Sequence, residues 1–145
     1  MICYFDTSAF VPILIDEPSS PGCAELWNVA DAVTTTRLLY VETASALARA
    51  RRAERITLPK FRAARRTLEE MWLEFDVIEL DEKLSQRAAD LAVSGSLRGY
   101  DAVHCAAVEQ VAGSDLIAAS GDRAVLAVCR SLGVATADVN HPDYL

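Results

Sequence analysis

The chain has 145 residues, 52% hydrophobic and 24% charged, with five prolines, which suits one domain with a substantial core and excludes a disordered polymer. The net charge of −7 excludes a protein coated in basic surface for nucleic acid. No apolar run reaches the roughly 20 residues of a membrane span, no basic stretch precedes the apolar N-terminus, and the four cysteines form no CxxC pair; a reduced, cytoplasmic protein with no membrane association is expected, 1–145 forming a single domain.

In chain order, "ICYF" reads as a buried strand ending in the carboxylate of Asp6. A short apolar helix is expected over 8–14, broken by "DEPSSPG", and another near 22–30. "AVTTT" reads as a strand, 37–53 as a long helix, and 58–75 as a further helix with Pro59 in its first turn. A strand at 76–80 precedes a helix at 82–95 closed by Gly95. A helix over 100–113 ended by Gly113, a strand over 115–120, a helix over 122–133 ended by Gly133 and a short strand over 134–138 complete the pattern. The alternation predicts an α/β fold, a three-layer α/β/α sandwich around a central, mainly parallel sheet of about five strands. In such sheets ligands bind beyond the carboxyl ends of strands, where strand order reverses.

Charge is uneven along this pattern. Residues 49–66 hold eight of the fourteen basic residues and one acid, leaving the rest of the chain at −14. Arg49, Arg51, Arg52, Arg55, Lys60 and Arg62, with Arg65 and Arg66 beyond them, read either as a solvated helix face or as a patch for one side of a polyanion.

Four carboxylates stand out. Asp6 and Asp122 follow short apolar strands and belong on the carboxyl edge of a parallel sheet. Asp101 opens a helix of small apolar residues, and Glu42 is the only charge between Arg37 and Arg49. Taken singly, the three aspartates read as helix caps, and Glu42 as either a residue on a narrow exposed edge or a carboxylate in an apolar face. Taken together, converging carboxylates repel one another and are tolerated mainly when a cation neutralises them. Oxygen-only donors favour Mg²⁺ or Mn²⁺ over zinc or copper.

"YFDTSAF", "YVETASALAR", "RGYDAVHCAAV" and "ASGDRAVLAVC" together resemble the PIN-domain ribonucleases, and among them the VapC-type toxins of bacterial toxin–antitoxin pairs. The resemblance spans nearly the whole chain; only the order and spacing of the motifs, each weak alone, make it specific. It implies a PIN-like fold and an endoribonuclease in which Asp6, Glu42, Asp101 and Asp122 are catalytic and bind Mg²⁺, or Mn²⁺ in its place. It implies polar support from Thr7 or Ser8 and from Ser120, the last standing where the family often has Thr. Metal-assisted attack by water on RNA would leave 5′-phosphate and 3′-hydroxyl ends. The implied partners are an RNA substrate, a VapB-like antitoxin whose C-terminal segment covers the site, and a second copy of the chain in a homodimer.

Other features carry less. His104 lies one turn after Asp101, but His141 stands far off in the chain, so no histidine pair exists at ligand spacing and a packed, hydrogen-bonded His104 is expected. Trp27, Phe61, Met71, Trp72, Leu73 and Phe75 are expected in the core or a dimer surface. Two rival functions stand beside the nuclease. A haloacid-dehalogenase-like phosphatase needs a second Asp where Ser8 stands, and a lysine that is missing after Lys83. A non-catalytic PIN-like regulatory or interaction domain has no use for four acids.

Overall fold

Five strands pair in the order β3-β2-β1-β4-β5, every pairing parallel, in the computed structural model, which describes residues 1–141. The strands are β1 (Ile2–Phe5), β2 (Ala32–Thr36), β3 (Phe75–Ile78), β4 (Leu116–Ser120) and β5 (Ala135–Asp138). The helices are α1 (Thr7–Leu14), α2 (Ser20–Val29), α3 (Leu38–Arg52), α4 (Leu58–Trp72), α5 (Glu82–Ser94), α6 (Gly99–Gln110) and α7 (Arg123–Ser131). The expected α/β sandwich is therefore observed.

Period-two alternation in the central strand sorts side chains into the two outer layers. Tyr4 turns to one face, where it joins Leu84 and Leu91 of α5, Val103 and Ala106 of α6, and Val125 of α7. Cys3 and Phe5 turn to the other, against Phe10, Leu26, Leu39 and Leu68. Small residues on α6 (Ala102, Cys105, Ala106 and Ala107 are all buried) let its backbone lie close to the sheet. On the second face Phe5, Phe10, Trp27, Trp72 and Phe75 form a chain of tilted and edge-to-face rings with centroids 5.1–6.4 Å apart. Each such pair adds about 0.5–1.5 kcal/mol beyond area burial.

Most boundaries differ from the sequence expectation by one or two residues, and those around β3 and at the end of α6 are the most telling. Phe75, read as the end of a helix, begins β3, because its ring completes the aromatic cluster while α4 stops at Trp72. β3 ends at Ile78 rather than residue 80, where Glu79 turns outward to pair with Arg37. α6 ends at Gln110, three residues short of Gly113. Gly133 does close α7: it takes φ +79° and donates its N–H to Arg130.

The four cysteines are free and buried, as expected. The strand order reverses between β1 and β4: the chain builds outward from β1 through β2 to β3, then returns to add β4 and β5 on the other side. The carboxyl ends of β1 and β4 therefore flank a crevice, and there the chain places Asp6 and Ser120-Gly121-Asp122.

Candidate active site

Asp6, Glu42, Asp101 and Asp122 line one cleft of about 390 Å³ at this switch point. Each arrives from a different element, and each is held by a different local device.

Asp6 is 4% exposed and caps α1. Its Oδ1 accepts from Ser8 Oγ (2.6 Å) and from the Ala9 N–H (3.1 Å), and its Oδ2 accepts from Ser120 Oγ (2.6 Å). Burial pushes its pKa above the ordinary carboxylate value, opposed by the charge of His104 and by these hydrogen bonds. The supporting role expected of Ser8 and Ser120 thus has a geometry. Gly121 adds to it by donating its N–H to Ser8 Oγ at 2.8 Å, and a Cβ there would meet Asn140 Nδ2 at 3.0 Å.

Asp122 caps α7, its Oδ1 accepting from the N–H groups of Ala124 (2.8 Å) and Val125 (3.1 Å). Capping and site geometry coexist here, since Oδ2 faces Arg98 Nη2 at 3.7 Å. Asp101 is not a cap. It sits in the first turn of α6, two residues after the helix starts, and accepts from Arg98 Nε at 3.1 Å. Arg98 therefore lies between Asp101 and Asp122, and its guanidinium is held above its usual pKa by them.

Glu42 projects from α3 and is half-buried, which joins the two descriptions left open by the sequence. Its Oε1 takes hydrogen bonds from Thr7 Oγ1 (3.0 Å) and His104 Nε2 (2.7 Å). His104 is 2% exposed, and its Nδ1 lies 2.8 Å from the Tyr4 hydroxyl. Burial opposes protonation of His104, but the Glu42 hydrogen bond and the charges of Asp6, Glu42 and Asp101 outweigh it and move its pKa up. His104 is packed and hydrogen-bonded, as expected, but it also orients a candidate ligand. The spacing of His104 one turn from Asp101 was the only sequence signal of that role.

Like Arg98, further cleft residues were not legible as such in the sequence. Glu17 adds a fifth carboxylate from the loop after α1. Arg49 and Arg55 reach the wall of the same cleft, which divides the basic segment. At the end of α3 the Glu54 N–H donates to Arg51 and the Arg55 N–H to Ala50, with Glu54 at φ +57°. These are the two bonds of a Schellman turn, and they return Arg55 toward the cleft.

The donor set fits a hard divalent cation. Among the described residues no three His, Cys, Asp or Glu side chains stand close enough together to hold a metal ion as placed. Two of the carboxylates, Asp101 and Asp122, nevertheless already share a positive charge, the Arg98 guanidinium. Among the described residues Asp101 Oδ1 and Glu42 Oε2 have no hydrogen-bond partner, and Asp6 Oδ2 keeps a second lone pair beyond its one bond.

A family model described as PIN domain matches residues 3–131. The chain belongs to the PIN-domain family. Its PIN domain is 38% identical over 122 residues to ribonuclease VapC45 of Mycobacterium tuberculosis (strain CDC 1551 / Oshkosh), covering 84% of this chain and 85% of that one. The fold is similar to that of the sarcin–ricin loop cleaving toxin VapC20 of M. tuberculosis, with TM-score 0.69 and 18% identity, covering 86% of this chain and 93% of that one. It is also similar to a chain of a toxin–antitoxin complex from Klebsiella pneumoniae, with TM-score 0.59 and 13% identity over 83% of this chain and 86% of that one. PIN-domain ribonucleases generally depend on a divalent metal. Among the described residues of this PIN domain, no helix is long and apolar enough to cross a membrane.

Proposed function

We infer that the chain is a metal-dependent endoribonuclease and the toxin of a VapBC-type pair, with 1–145 acting as one cytoplasmic unit. The observation that supports this most is the cleft at the β1/β4 switch point, lined by Asp6, Glu42, Asp101 and Asp122 in a chain 38% identical to a VapC ribonuclease.

In this reading Asp6, Asp101 and Asp122, completed by Glu42, hold Mg²⁺ or, in its place, Mn²⁺. The ion, when bound, offsets the charge of the scissile phosphate and lowers the pKa of attacking water. The protein's own groups supply the rest. Ser8, Ser120 and the Ala9 N–H fix both oxygens of Asp6, so its orientation is set before substrate arrives. Thr7 and His104 do the same for Glu42. Ser8 standing where a phosphatase of the haloacid-dehalogenase type needs a second acid, and serving Asp6 as a donor, disfavours that rival.

The same cleft suits a cationic plug from a VapB-like antitoxin, since Arg98 already demonstrates a guanidinium seated between two of its acids. A homodimer is the expected assembly. The test is incubation of purified protein with total RNA in Mg²⁺ and in chelator. Cleavage that leaves 5′-phosphate and 3′-hydroxyl ends, stops with chelator and disappears in Asp6→Asn is expected. Cleavage indifferent to chelator, or intact in Asp6→Asn, overturns the assignment. A protein that binds partners but cuts no RNA is the non-catalytic interaction domain.

A further inference from the structure

A second lobe, also of about 390 Å³, shares Thr7, Glu42, Arg49, Arg98 and Asp101 with the acidic cleft, and the hydrolytic machinery does not account for it. One wall is α3, where Val41, Glu42, Ser45 and Arg49 follow one another along a single face. The other is the start of α6, with Arg98, Tyr100 and Asp101. Two of these residues are unusual for surface positions: Tyr100 is 63% exposed and Val41 58% exposed. An aromatic ring and a branched aliphatic side chain thus stand in solvent on the lips of a lobe flanked by two arginines. Arg49 lines both this lobe and the main cleft, and among the described residues it has no carboxylate partner. Seven residues separate it from Glu42, so it sits on nearly the same helix face about 10 Å further along.

We propose that this lobe is a nucleotide subsite for single-stranded RNA, in which Tyr100 stacks a base against Val41 and Arg49 holds the phosphate of a nucleotide beside the scissile one. The proposal rests on the endoribonuclease reading and deepens it. The chemistry matches each part of the ligand. A base has an apolar face for an exposed ring, and stacking tolerates any base. A phosphate needs a cation that is not already committed to a carboxylate, and Arg49 is one. A paired helix cannot offer an unstacked base, so the lobe selects looped or single strands. Glu42 in the first half of α3 and Arg49 in its last turn separate the scissile phosphate from its neighbour. An acidic peptide would use Arg49 but would give the exposed Tyr100 ring no planar face to stack on, which favours RNA.

The experiment measures binding of a fluorescent single-stranded oligoribonucleotide by anisotropy in chelator, where no cleavage occurs, alongside KM and kcat in Mg²⁺. Tyr100→Leu and Arg49→Ala are each expected to weaken binding roughly tenfold and to raise KM with kcat nearly unchanged. Tyr100→Phe, which keeps the ring, restores wild-type affinity. Arg49→Ala lowers the salt slope of log K by about 0.7, the value for one single-strand phosphate contact. Arg62→Ala/Arg66→Ala, on α4 away from both lobes, holds affinity within twofold. Wild-type affinity in Tyr100→Leu and Arg49→Ala, or equal losses in the α4 control, overturns the subsite while RNA cleavage by the wild type leaves the nuclease reading standing. Loss of antitoxin binding without loss of RNA binding reassigns the lobe to protein. A wild type that neither binds nor cuts RNA overturns both.

Discussion

His104 Nε2 lies 2.7 Å from Glu42 Oε1, and on its other side His104 Nδ1 meets the Tyr4 hydroxyl at 2.8 Å. A strand residue at the sheet centre thereby fixes a cleft-lining carboxylate on α3 through an imidazole on α6. Removing the imidazole leaves a cavity and unpairs buried polar groups, so His104→Ala is expected to destabilise the fold by about 2–4 kcal/mol. Tyr4→Phe removes one hydrogen bond and is expected to cost about 1 kcal/mol. Urea denaturation followed by circular dichroism measures both. A His104→Ala variant as stable as wild type would show that the relay holds nothing.

Arg98 competes for the same carboxylates as a divalent ion. It is largely exposed, so its pairs are worth little, but its charge beside Asp101 and Asp122 opposes any second cation. Arg98→Ala is expected to tighten Mn²⁺ binding about two- to fivefold, read by calorimetry. Weaker binding in the variant would mean that Arg98 orders the acids rather than competing for them.

The pKa directions in the cleft set a pH dependence for the metal-free protein. Asp6 is raised by burial, so the folded state holds its proton to higher pH than the unfolded chain. Its contribution is fully present below the unfolded value of 3.8 and is lost as pH rises through the folded value. His104 is raised too, despite burial, so its contribution is full below 6.5 and is lost as pH rises through its folded value. Both make the chelated protein less stable from acid toward neutral and basic pH. Divalent ions bind the deprotonated carboxylates, so the gain in Tm from Mg²⁺ grows over the same range. Thermal melts at several pH values, with Mg²⁺ and with chelator, check this; a Tm gain that shrinks as pH rises would contradict it.

The sheet and two of the candidate site residues were legible because parallel strands are short apolar runs and their carboxyl ends are predictable places. "ICYF" and "LIAAS" announced Asp6 and Asp122 in this way. Asp101 was found by its helix start, although it proves to lie inside the first turn and to pair with Arg98. The joint at Phe75 was missed because an amphipathic helix and a short strand share apolar residues at a boundary, and only the aromatic cluster decides between them. The division of the basic segment was invisible because it depends on a left-handed residue that is not glycine. Glu54 takes that conformation at φ +57°, at a backbone penalty of about 1–2 kcal/mol.

That penalty can be recovered. Glu54→Gly is expected to stabilise the protein by about 0.5–1 kcal/mol, less than the full penalty because glycine loses more chain entropy on folding. Denaturant midpoints at constant m-value measure the change. A destabilised Glu54→Gly would mean that the Glu54 side chain makes a contribution larger than its backbone strain.

In the proposed site, carboxylates from four separate elements share a hard divalent cation, and anomalous diffraction from crystals grown with Mn²⁺ tests this most directly. The expected map places one or two anomalous peaks between Asp6 and Asp101, with Asp122 or Glu42 completing the donors, and none in crystals of Asp101→Asn that retains the wild-type fold. Mn²⁺ bound elsewhere with this cleft vacant, or a full-strength peak in Asp101→Asn, would contradict it.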